Sequence, residues 1–391
     1  MGINSVVIIG AGPSGLYLAR ELSKFVNVVI FEEDREVGVP PHCTGLVNLD
    51  SLRVLGVSPP IISTYRYVRI VDLEGNGLTF DFGRRVIAMV DRPGLEQYLA
   101  NELGSSSLML GERVVHVDSS TVKTKSRQLS YELTVIAEGA GGELSRKLIP
   151  WTPNYVYGVQ TDTRSYSTSN LMPRDDDEIV VVFDKKLSEN YFAWIVPIDH
   201  SEFRIGIADT SNTWVKFTEL LRLVGAEYRK LFGGKIIIGG SPEHVVWRNV
   251  AVIGDAAGFV KPMTGGGIIM GMLSARILSE SLYETIKAGL SIGDALSIYD
   301  MVYRKYIRGK LKALGVASTI LHMLLNKSLG ESLRLMSGLS IRVDDYDNHV
   351  DAILTAALRR PWAFIKAVAA IIQELSETQY PIHKLLRSLI E

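Results

Sequence analysis

A strand–turn–helix signal near the start of the chain constrains the fold more than any other feature. The apolar run Val6–Ile9 is typical of a strand buried on both faces of a parallel sheet. Gly10, Gly12 and Gly15 follow with the spacing that permits a tight turn, close approach of a pyrophosphate, and close packing of helix on strand. Glu32 ends the next strand, where a carboxylate can accept hydrogen bonds from ribose hydroxyls. The spacing predicts a dinucleotide-binding βαβ unit.

A second glycine-rich segment indicates which dinucleotide is bound. The predicted strand 249–253 runs into this segment, and residues 262–268 open a helix. A nicotinamide enzyme needs one phosphate-binding turn, whereas a flavin that spans the domain also needs its ribityl chain and its ring held. Asp255 suits a ribityl hydroxyl, and the N–H groups of Gly267 and Ile268 suit the electron-rich edge of an isoalloxazine. The two segments together predict FAD as the cofactor.

The order of strands along the chain predicts an α/β (overall α+β) protein with interleaved domains. Parallel-strand segments, among them one continuous strand over 129–137, are separated by short alternating strands that indicate an antiparallel sheet. One helix is expected over 215–232. We predict a Rossmann-like FAD-binding domain, an antiparallel-sheet substrate domain, and a helical C-terminal region. Their expected bounds are 1–65, 92–150 and 249–290 for the FAD-binding domain, 66–91 and 151–248 for the substrate domain, and 291–391 for the helical region.

Composition and charge exclude several classes of protein. The 391 residues are 47% apolar and 22% charged, which is typical of a globular protein and not of a disordered one. The net charge of -1 argues against a nucleic-acid binder. The lone cysteine, Cys43, cannot form an internal disulfide or a cysteine-based metal cluster, so we expect no metal site and a reducing compartment. Without a recognisable secretory signal or an apolar run of about 18 residues, we expect a cytoplasmic protein, soluble or peripheral on a membrane.

Several segments resemble those of known flavoproteins. Two short segments, Pro40–Leu46 and Phe192–Pro197, are similar to those of the geranylgeranyl reductase family, which includes the archaeal digeranylgeranylglycerophospholipid reductases. That resemblance implies a flavoprotein oxidoreductase of isoprenoid and phospholipid biosynthesis, which saturates C=C bonds of geranylgeranyl chains in archaeal membrane lipids or their precursors. The segments that resemble the wider class, the FAD-dependent oxidoreductases of the aromatic-hydroxylase type, are Gly10–Gly15, Asp91-Arg92, Ala137-Glu138-Gly139 and Gly254–Ile268.

The resemblance also implies the residues of a cofactor site. Cys43 would lie beside the flavin ring, and Arg92 would offer its charge to the phosphates. His42 could donate a proton at neutral pH or be an ordinary loop histidine, so no catalytic residue is assigned. Glu138 is expected to cap a turn. The implied FAD contacts are Gly10, Gly12, Ser14, Gly15, Glu32, Cys43, Thr44, Leu46, Arg92, Val114 through its backbone, Asp255, Gly267 and Ile268.

A substrate motif matches the family pattern in outline. The family pattern reads tyrosine, tryptophan, phenylalanine and proline, followed by Gly-x-Gly, whereas this chain has Phe at the first position, Val at the third and Ala in place of the last glycine. Aromatic residues along an apolar tunnel would suit an isoprenoid, although Trp194 could equally belong to the core of the sheet. The implied substrate contacts are Phe192, Trp194, Pro197 and Gly206.

The last part of the chain is net basic, whereas the rest is net acidic. One basic cluster spans residues 304–312, and Arg359-Arg360 precede Pro361-Trp362 and an apolar run to Ile372. Basic residues beside apolar helix faces suit an anionic lipid surface or a phospholipid head group, and they are equally typical of a solvated helix face.

Three functions are consistent with these patterns. The first is the reductase, whose partners would be a geranylgeranyl lipid and an external electron donor, either ferredoxin, a deazaflavin or NAD(P)H. The second is an FAD-dependent monooxygenase that acts on an apolar substrate. The third is a non-catalytic prenyl-binding protein on the same scaffold, as in the Rab escort and GDP-dissociation-inhibitor proteins.

Overall fold

The computed structural model describes residues 5–104, 106–167, 169–324 and 333–343. Up to residue 150 its elements are β1 (Ser5–Ile9), α1 (Pro13–Leu22), β2 (Asn27–Phe31), β3 (Leu46–Asn48), α2 (Leu49–Val54), β4 (Ile61–Tyr65), β5 (Tyr67–Val71), β6 (Gly77–Asp81), β7 (Ile87–Val90), α3 (Arg92–Asn101), β8 (Ser107–Met109), β9 (Val114–Val117), β10 (Thr121–Thr124), β11 (Gln128–Ser130), β12 (Leu133–Ile136) and α4 (Ser145–Leu148). The later elements are β13 (Asn154–Thr163), β14 (Glu178–Val182), β15 (Ala193–Pro197), β16 (Phe203–Asp209), α5 (Thr213–Leu223), β17 (Leu231–Gly239), β18 (Val246–Trp247), β19 (Val250–Val252), a 3₁₀ turn (Gly254–Ala257), α6 (Ile268–Lys287), α7 (Ile292–Val302), a π-helical turn (Tyr303–Arg308), α8 (Gly309–Leu324) and β20 (Leu339–Arg342).

A six-stranded, mainly parallel sheet forms the first layer of the fold. Its strand order is β18-β19-β12-β1-β2-β8, and β18 runs antiparallel to β19. The central strands are buried because α1 packs on α6 and α3 packs on α1. Since parallel strands end at the same edge, Gly10, Glu32, Ala137 and Ile253 come together at the carboxyl ends of β1, β2, β12 and β19.

An eight-stranded sheet forms the second layer, in the order β17-β13-β16-β15-β14-β5-β6-β20. Most neighbours are antiparallel, but β14 pairs with β5 and β6 pairs with β20 in parallel. One face packs on α5 through Val180, Ile195, Ile207 and Phe217. The other face packs on β4 and β7 through Ile179, Trp194, Tyr65 and Met89. The fold prediction of a Rossmann-like sheet combined with a largely antiparallel one is confirmed.

Two small antiparallel sheets complete the strand structure. One has the order β11-β10-β9, and the other has the order β3-β7-β4. The strand predicted over 86–90 therefore pairs in a small sheet rather than in the large one. The bounds of the interleaved domains remain a prediction.

Three predicted elements differ from the structure. The strand predicted over 129–137 is two strands, β11 and β12, joined through Tyr131, whose hydroxyl donates to the carbonyls of Asp118 and Thr121. The helix predicted over 215–232 ends at Leu223, because Gly225 adopts a left-handed φ of +60 and the chain then enters β17.

The region predicted to be helical from residue 291 contains a strand. Gly338 has a φ of +77, and the chain then forms β20 alongside β6. The predictions for Arg359-Arg360, Pro361-Trp362 and Ile372 lie outside the described residues. Within the described part of the chain, no helix has the length and apolar character needed to cross a membrane.

Candidate functional site

The three glycines of the first turn have different surroundings. Gly10 has a φ of +104, and a Cβ there would lie 2.4 Å from the carbonyl oxygen of Ala137. A Cβ on Gly15 would lie 2.0 Å from the carbonyl oxygen of Gly10. No heavy atom lies within 4 Å of a Cβ built on Gly12. Gly10 and Gly15 therefore serve the fold, whereas Gly12 borders open space.

The Glu32 carboxylate is fixed by backbone donors. Its Oε2 accepts from the N–H of Ala11 at 2.6 Å, and its Oε1 accepts from the N–H of Asp34 at 2.9 Å. A carboxylate has about four acceptor positions, so two remain for hydroxyl groups of a ligand. The structure thus places Glu32 and the glycine turn side by side.

Arg92 begins α3 and is held by a residue that the sequence analysis missed. Its Nη2 donates to Oε1 of Glu96, one helical turn on. Burial raises the pKa of Glu96, and the nearby Arg92 charge opposes that rise. Arg92 Nε is buried and has no hydrogen-bond partner among the described residues. The i, i+4 spacing on a helix is a signal that could have identified Glu96.

Asp255 lies in the 3₁₀ turn after β19 and is partly buried. Burial raises its pKa to about 6, and the charge of Arg92 opposes this shift. A Cβ on Gly267 would lie 2.4 Å from Oδ1 of Asp255, so a glycine is needed there for the carboxylate to keep its place. The first N–H groups of α6, which begins at Ile268, lack intrahelical acceptors.

The Cys43 loop (residues 38–45) is tied to the large sheet. Thr44 Oγ1 donates to Oε1 of Gln160 at 2.8 Å, and Arg204 Nη1 donates to the Thr44 carbonyl at 2.8 Å. Cys43 is partly buried, and its Sγ accepts from the N–H of Gly45 at 3.4 Å. These contacts hold Cys43 and Thr44 between the two sheets.

His42 is linked to the sheet through its ring. Its Nδ1 lies 3.0 Å from the carbonyl oxygen of Gly233 on β17. Because a carbonyl can only accept, Nδ1 carries the proton in this contact, and the neutral ring then has an acceptor at Nε2.

The residues of the substrate motif occupy two different environments. Phe192 and Trp194 face the space between the sheets, and Tyr191 stacks on Phe192 with ring centroids 4.1 Å apart. Pro197 and Gly206 do not line that space. Pro197 accepts a hydrogen bond from the Tyr65 hydroxyl through its carbonyl, so it supports the sheet from within.

One cavity of about 1190 Å³ connects these groups. We call its two parts the nucleotide end and the apolar chamber. The nucleotide end is lined by Gly10, Gly12, Ser14, Glu32, Arg92, Glu96 and Val114, and the apolar chamber by Val68, Ile70, Leu78, Phe80, Ile179, Val181, Tyr191, Phe192, Trp194, Leu333, Met336 and Val343. Between them lie His42, Cys43, Thr44, Leu46, Gln160, Asp255, Gly267 and Ile268.

The alternation of the strands explains the shape of the apolar chamber. Every second residue of β5, β6 and β14 lines it, so one face of the large sheet forms its wall. Leu333, Met336 and Val343, from residues 333–343, also line it. Of the predicted cofactor residues, Gly15 alone does not line the cavity.

Glu138 has the structural role that the sequence predicts. Its carboxylate accepts from the backbone N–H groups of Leu144 and Ser145, at 3.0 Å and 2.6 Å. It therefore caps the turn that leads into α4.

Several known proteins are similar to this chain in sequence. No protein-family profile matches the chain. Digeranylgeranylglycerophospholipid reductase 2 of Methanothermobacter thermautotrophicus is 24% identical over 368 residues, which cover 85% of this chain and 91% of that protein. The corresponding reductase of Methanococcus vannielii is 24% identical over 339 residues, covering 78% of this chain and 85% of that one. The chain is a distant homologue of the archaeal digeranylgeranylglycerophospholipid reductases.

Solved structures support the same fold for this reductase homologue. A geranylgeranyl bacteriochlorophyll reductase-like protein from Thermoplasma acidophilum superposes with a TM-score of 0.79 at 17% identity, covering 95% of this chain and all of that one (100%). A probable FAD-dependent monooxygenase from Pseudomonas aeruginosa has a TM-score of 0.65 at 16% identity, covering 85% of this chain and 99% of that one. A Klebsiella pneumoniae protein solved with FAD and uric acid has a TM-score of 0.62 at 18% identity, covering 86% and 94%. The fold is that of FAD-dependent oxidoreductases.

Proposed function

We propose that this protein is an FAD-dependent reductase that saturates C=C bonds in geranylgeranyl chains of archaeal membrane lipids or their precursors. The observation that carries the proposal is the single cavity that leads from the glycine turn to the apolar chamber. Distant homology to the archaeal digeranylgeranylglycerophospholipid reductases supports the choice of substrate.

The nucleotide end suits the adenosine and phosphate parts of FAD. The open space at Gly12 and the free N–H groups at the start of α1 suit a pyrophosphate. The unpartnered Arg92 Nε can donate to a phosphate, and Glu32 has acceptor positions for ribose hydroxyls. The predicted contact of Val114 with the adenine remains part of this proposal.

The middle of the cavity suits the ribityl chain and the ring. No described residue donates a hydrogen bond to the partly buried Asp255 carboxylate, so a ribityl hydroxyl would satisfy it. The N–H groups of Gly267 and Ile268, at the positive end of α6, would face the electron-rich edge of the ring. Cys43, Thr44 and Leu46 would lie against the ring from the other side.

The residues that line the cavity would bind the substrate and exclude water from the reaction. Bound FAD, once reduced, would supply a hydride equivalent for one alkene carbon, and a proton would have to reach the other carbon. An isolated alkene is a poor electrophile, so positive charge that develops on the chain must be stabilised and water excluded. Phe192 and Trp194 line the apolar chamber, and the face of an aromatic ring can stabilise such charge. We assign no proton donor.

Anaerobic single-turnover reduction tests the proposal. The bound flavin is reduced with dithionite, which removes the need for the natural donor, and a digeranylgeranyl glycerophospholipid is then added. We expect flavin reoxidation and a mass gain of two hydrogens for each double bond reduced. The saturated phytanyl lipid is the control, because it offers no alkene and should leave the flavin reduced.

Two results would favour the other candidate functions over the reductase. A hydroxylated product formed in air with NAD(P)H would favour the monooxygenase, which the shared fold with the Pseudomonas aeruginosa protein keeps as the second candidate. A protein that stays colourless when FAD is added would favour a non-catalytic prenyl-binding role. For the natural electron donor, ferredoxin, a deazaflavin and NAD(P)H are the candidates to compare.

We also propose that the enzyme works beside a lipid surface. Arg304, Lys305 and Lys310 are exposed, and the Lys305 ammonium lies 5.1 Å from the centre of the exposed Tyr306 ring. Basic and aromatic side chains together are typical of contacts with anionic head groups. A peripheral position would shorten the path of a lipid into the apolar chamber.

A further inference from the structure

A glycine in the large sheet brings two distant side chains together. Gln160 on β13 pairs with Gly206 on β16, and Gly206 pairs with Trp194 on β15. A Cβ on Gly206 would lie 2.5 Å from Cε2 of Trp194 and 2.7 Å from Cβ of Gln160. The Trp194 ring and the Gln160 side chain therefore meet over a position that only glycine leaves open.

The amide oxygen of Gln160 joins the sheet to the Cys43 loop. It accepts from Nε1 of Trp194 at 3.2 Å and from Oγ1 of Thr44 at 2.8 Å. An indole N–H can only donate, so the atom it meets must be the oxygen of the amide rather than its nitrogen. Gln160 is 2% exposed, so its hydrogen bond with Trp194 is buried, whereas the one with Thr44 is partly buried.

A second set of contacts fixes the same loop to the same strand. Arg204 donates to both carboxylate oxygens of Asp162 on β13, at 2.7 Å and 2.8 Å, and to the carbonyl of Thr44 at 2.8 Å. Thr44 is thus held at its backbone by Arg204 and at its side chain by Gln160. A shift of the loop must therefore move the amide of Gln160 or break its hydrogen bond.

We propose that Gln160 is a positioning residue that couples cofactor binding in the Cys43 loop to the placement of Trp194 in the apolar chamber. The identities of the cofactor and of the substrate rest on the proposed function, whereas the bridge Thr44–Gln160–Trp194 rests on the geometry alone. FAD that contacts the loop fixes Thr44, Thr44 fixes the amide of Gln160, and Gln160 holds the indole over Gly206. Cofactor that fixes the loop would thereby also fix this part of the substrate wall.

Fluorine NMR tests the coupling without any substrate. The protein is labelled with fluorotryptophan, and the Trp194 signal is identified by its absence in Trp194→Phe. We expect FAD to shift this signal in the wild type and in Gln160→Glu, which keeps acceptor oxygens in the same place. Gln160→Leu should lose the shift, whereas Gln128→Leu, the same change at an exposed glutamine, should keep it. A normal shift in Gln160→Leu would overturn the proposal.

Flavin absorbance in the same samples separates two failures. If no variant and no wild-type sample binds FAD, the proposed function fails. If FAD binds and the Trp194 signal does not respond in the wild type, the coupling fails and the proposed function stands.

Kinetics supply a second test that needs no label. We expect Gln160→Leu to raise KM for the geranylgeranyl lipid about tenfold while FAD affinity changes less than about threefold. Gly206→Ala should have the same effect, because the added methyl group displaces the indole and removes no polar atom. The double variant Gln160→Leu/Trp194→Phe should be no worse than the more affected single variant, since both remove one bridge. Additive losses would contradict the proposal.

Discussion

At the scale of single residues, Gly15 and Gly12 have different roles in the same turn, one in packing and the other in the proposed binding of the cofactor. A Cβ on Gly15 would meet the carbonyl oxygen of Gly10 at 2.0 Å, whereas a Cβ on Gly12 would meet nothing within 4 Å. Gly12 also has an ordinary extended backbone, with a φ of -74. The same substitution should therefore have opposite consequences at two sites that lie three residues apart.

We expect Gly15→Ala to destabilise the cofactor-free protein by about 1–3 kcal/mol, because an added methyl group overpacks the contact between α1 and β1. Gly12→Ala should change the free energy of unfolding by less than about 0.5 kcal/mol. It should nevertheless lower FAD affinity at least about tenfold, since the methyl group occupies the space proposed for the pyrophosphate. Urea unfolding and flavin titration measure the two effects, and equal stability losses would contradict this division.

Asp255 gives a second prediction at this scale, on pH. Its pKa rises from 3.8 to about 6 in the folded protein because of burial. A raised pKa means that the folded state binds the proton more tightly, so the stabilisation is complete below about pH 4 and is lost as the pH rises to about 6. The loss approaches about 3 kcal/mol above that window.

Urea unfolding of the cofactor-free protein between about pH 4 and about pH 7 measures this effect. The free energy of unfolding should fall mainly between about pH 4 and about pH 6. Asp255→Asn should remove the Asp255 part of the loss, because the amide does not titrate. The Asn variant should consequently have a flatter stability profile than the wild type. Parallel profiles for the two proteins would show that Asp255 does not titrate in this range.

At the scale of elements, the segment that ends in β20 forms part of the wall of the apolar chamber. Leu333, Met336 and Val343 line the chamber, and β20 is held by its parallel pairing with β6. Arg334 also forms an ion pair with Glu74 at 2.6 Å, which links the segment to the loop between β5 and β6. The depth available to a prenyl chain depends on this segment.

We expect Met336→Trp to raise KM for a geranylgeranyl lipid about tenfold, because the larger ring fills the end of the apolar chamber that Met336 lines. A geranyl or farnesyl analogue should be affected less, since a shorter chain does not reach that end. Leu335→Trp is the matched control, because Leu335 lies next to Met336 in the chain but does not line the chamber. Equal effects on long and short chains would show that the segment does not limit chain length.

The sequence predicts local elements well and long-range pairings poorly. The glycine turns are predictable because their chemistry is contained in a few consecutive residues, such as Gly10–Gly15. β17 and β20 are missed because a short apolar run suits a helix or a strand equally, and only a partner strand decides between them. Gln160 is missed because a single polar residue in a strand carries no signal until its neighbours across the sheet are known.

At the scale of the whole molecule, a net charge of -1 conceals an uneven distribution of charge. Arg304, Lys305 and Lys310 project from the π-helical turn and α8 as exposed side chains. Each basic residue near an anionic membrane contributes about 1 kcal/mol to binding. A local basic surface can therefore bind lipid although the total charge is close to zero.

We expect the protein to sediment with vesicles that contain anionic lipid, and to be released by high salt. Replacing Arg304, Lys305 and Lys310 by glutamine should weaken this binding about a hundredfold, while FAD affinity is unchanged. Replacing the exposed residues Lys123, Lys125 and Arg127 by glutamine removes the same charge elsewhere and is the control. Equal losses for the two triple variants would argue against a specific lipid-facing surface.

The wall of the apolar chamber is only one sheet thick, with α5 against its back. Trp194 faces the chamber, whereas Ile195, its neighbour along β15, is fully buried against α5. A larger or smaller side chain on that hidden side would move the strand without altering any residue that a ligand touches. Substitutions on the face of the sheet that packs on α5 could thus change substrate preference. Natural variants with identical chamber linings need not accept the same lipids.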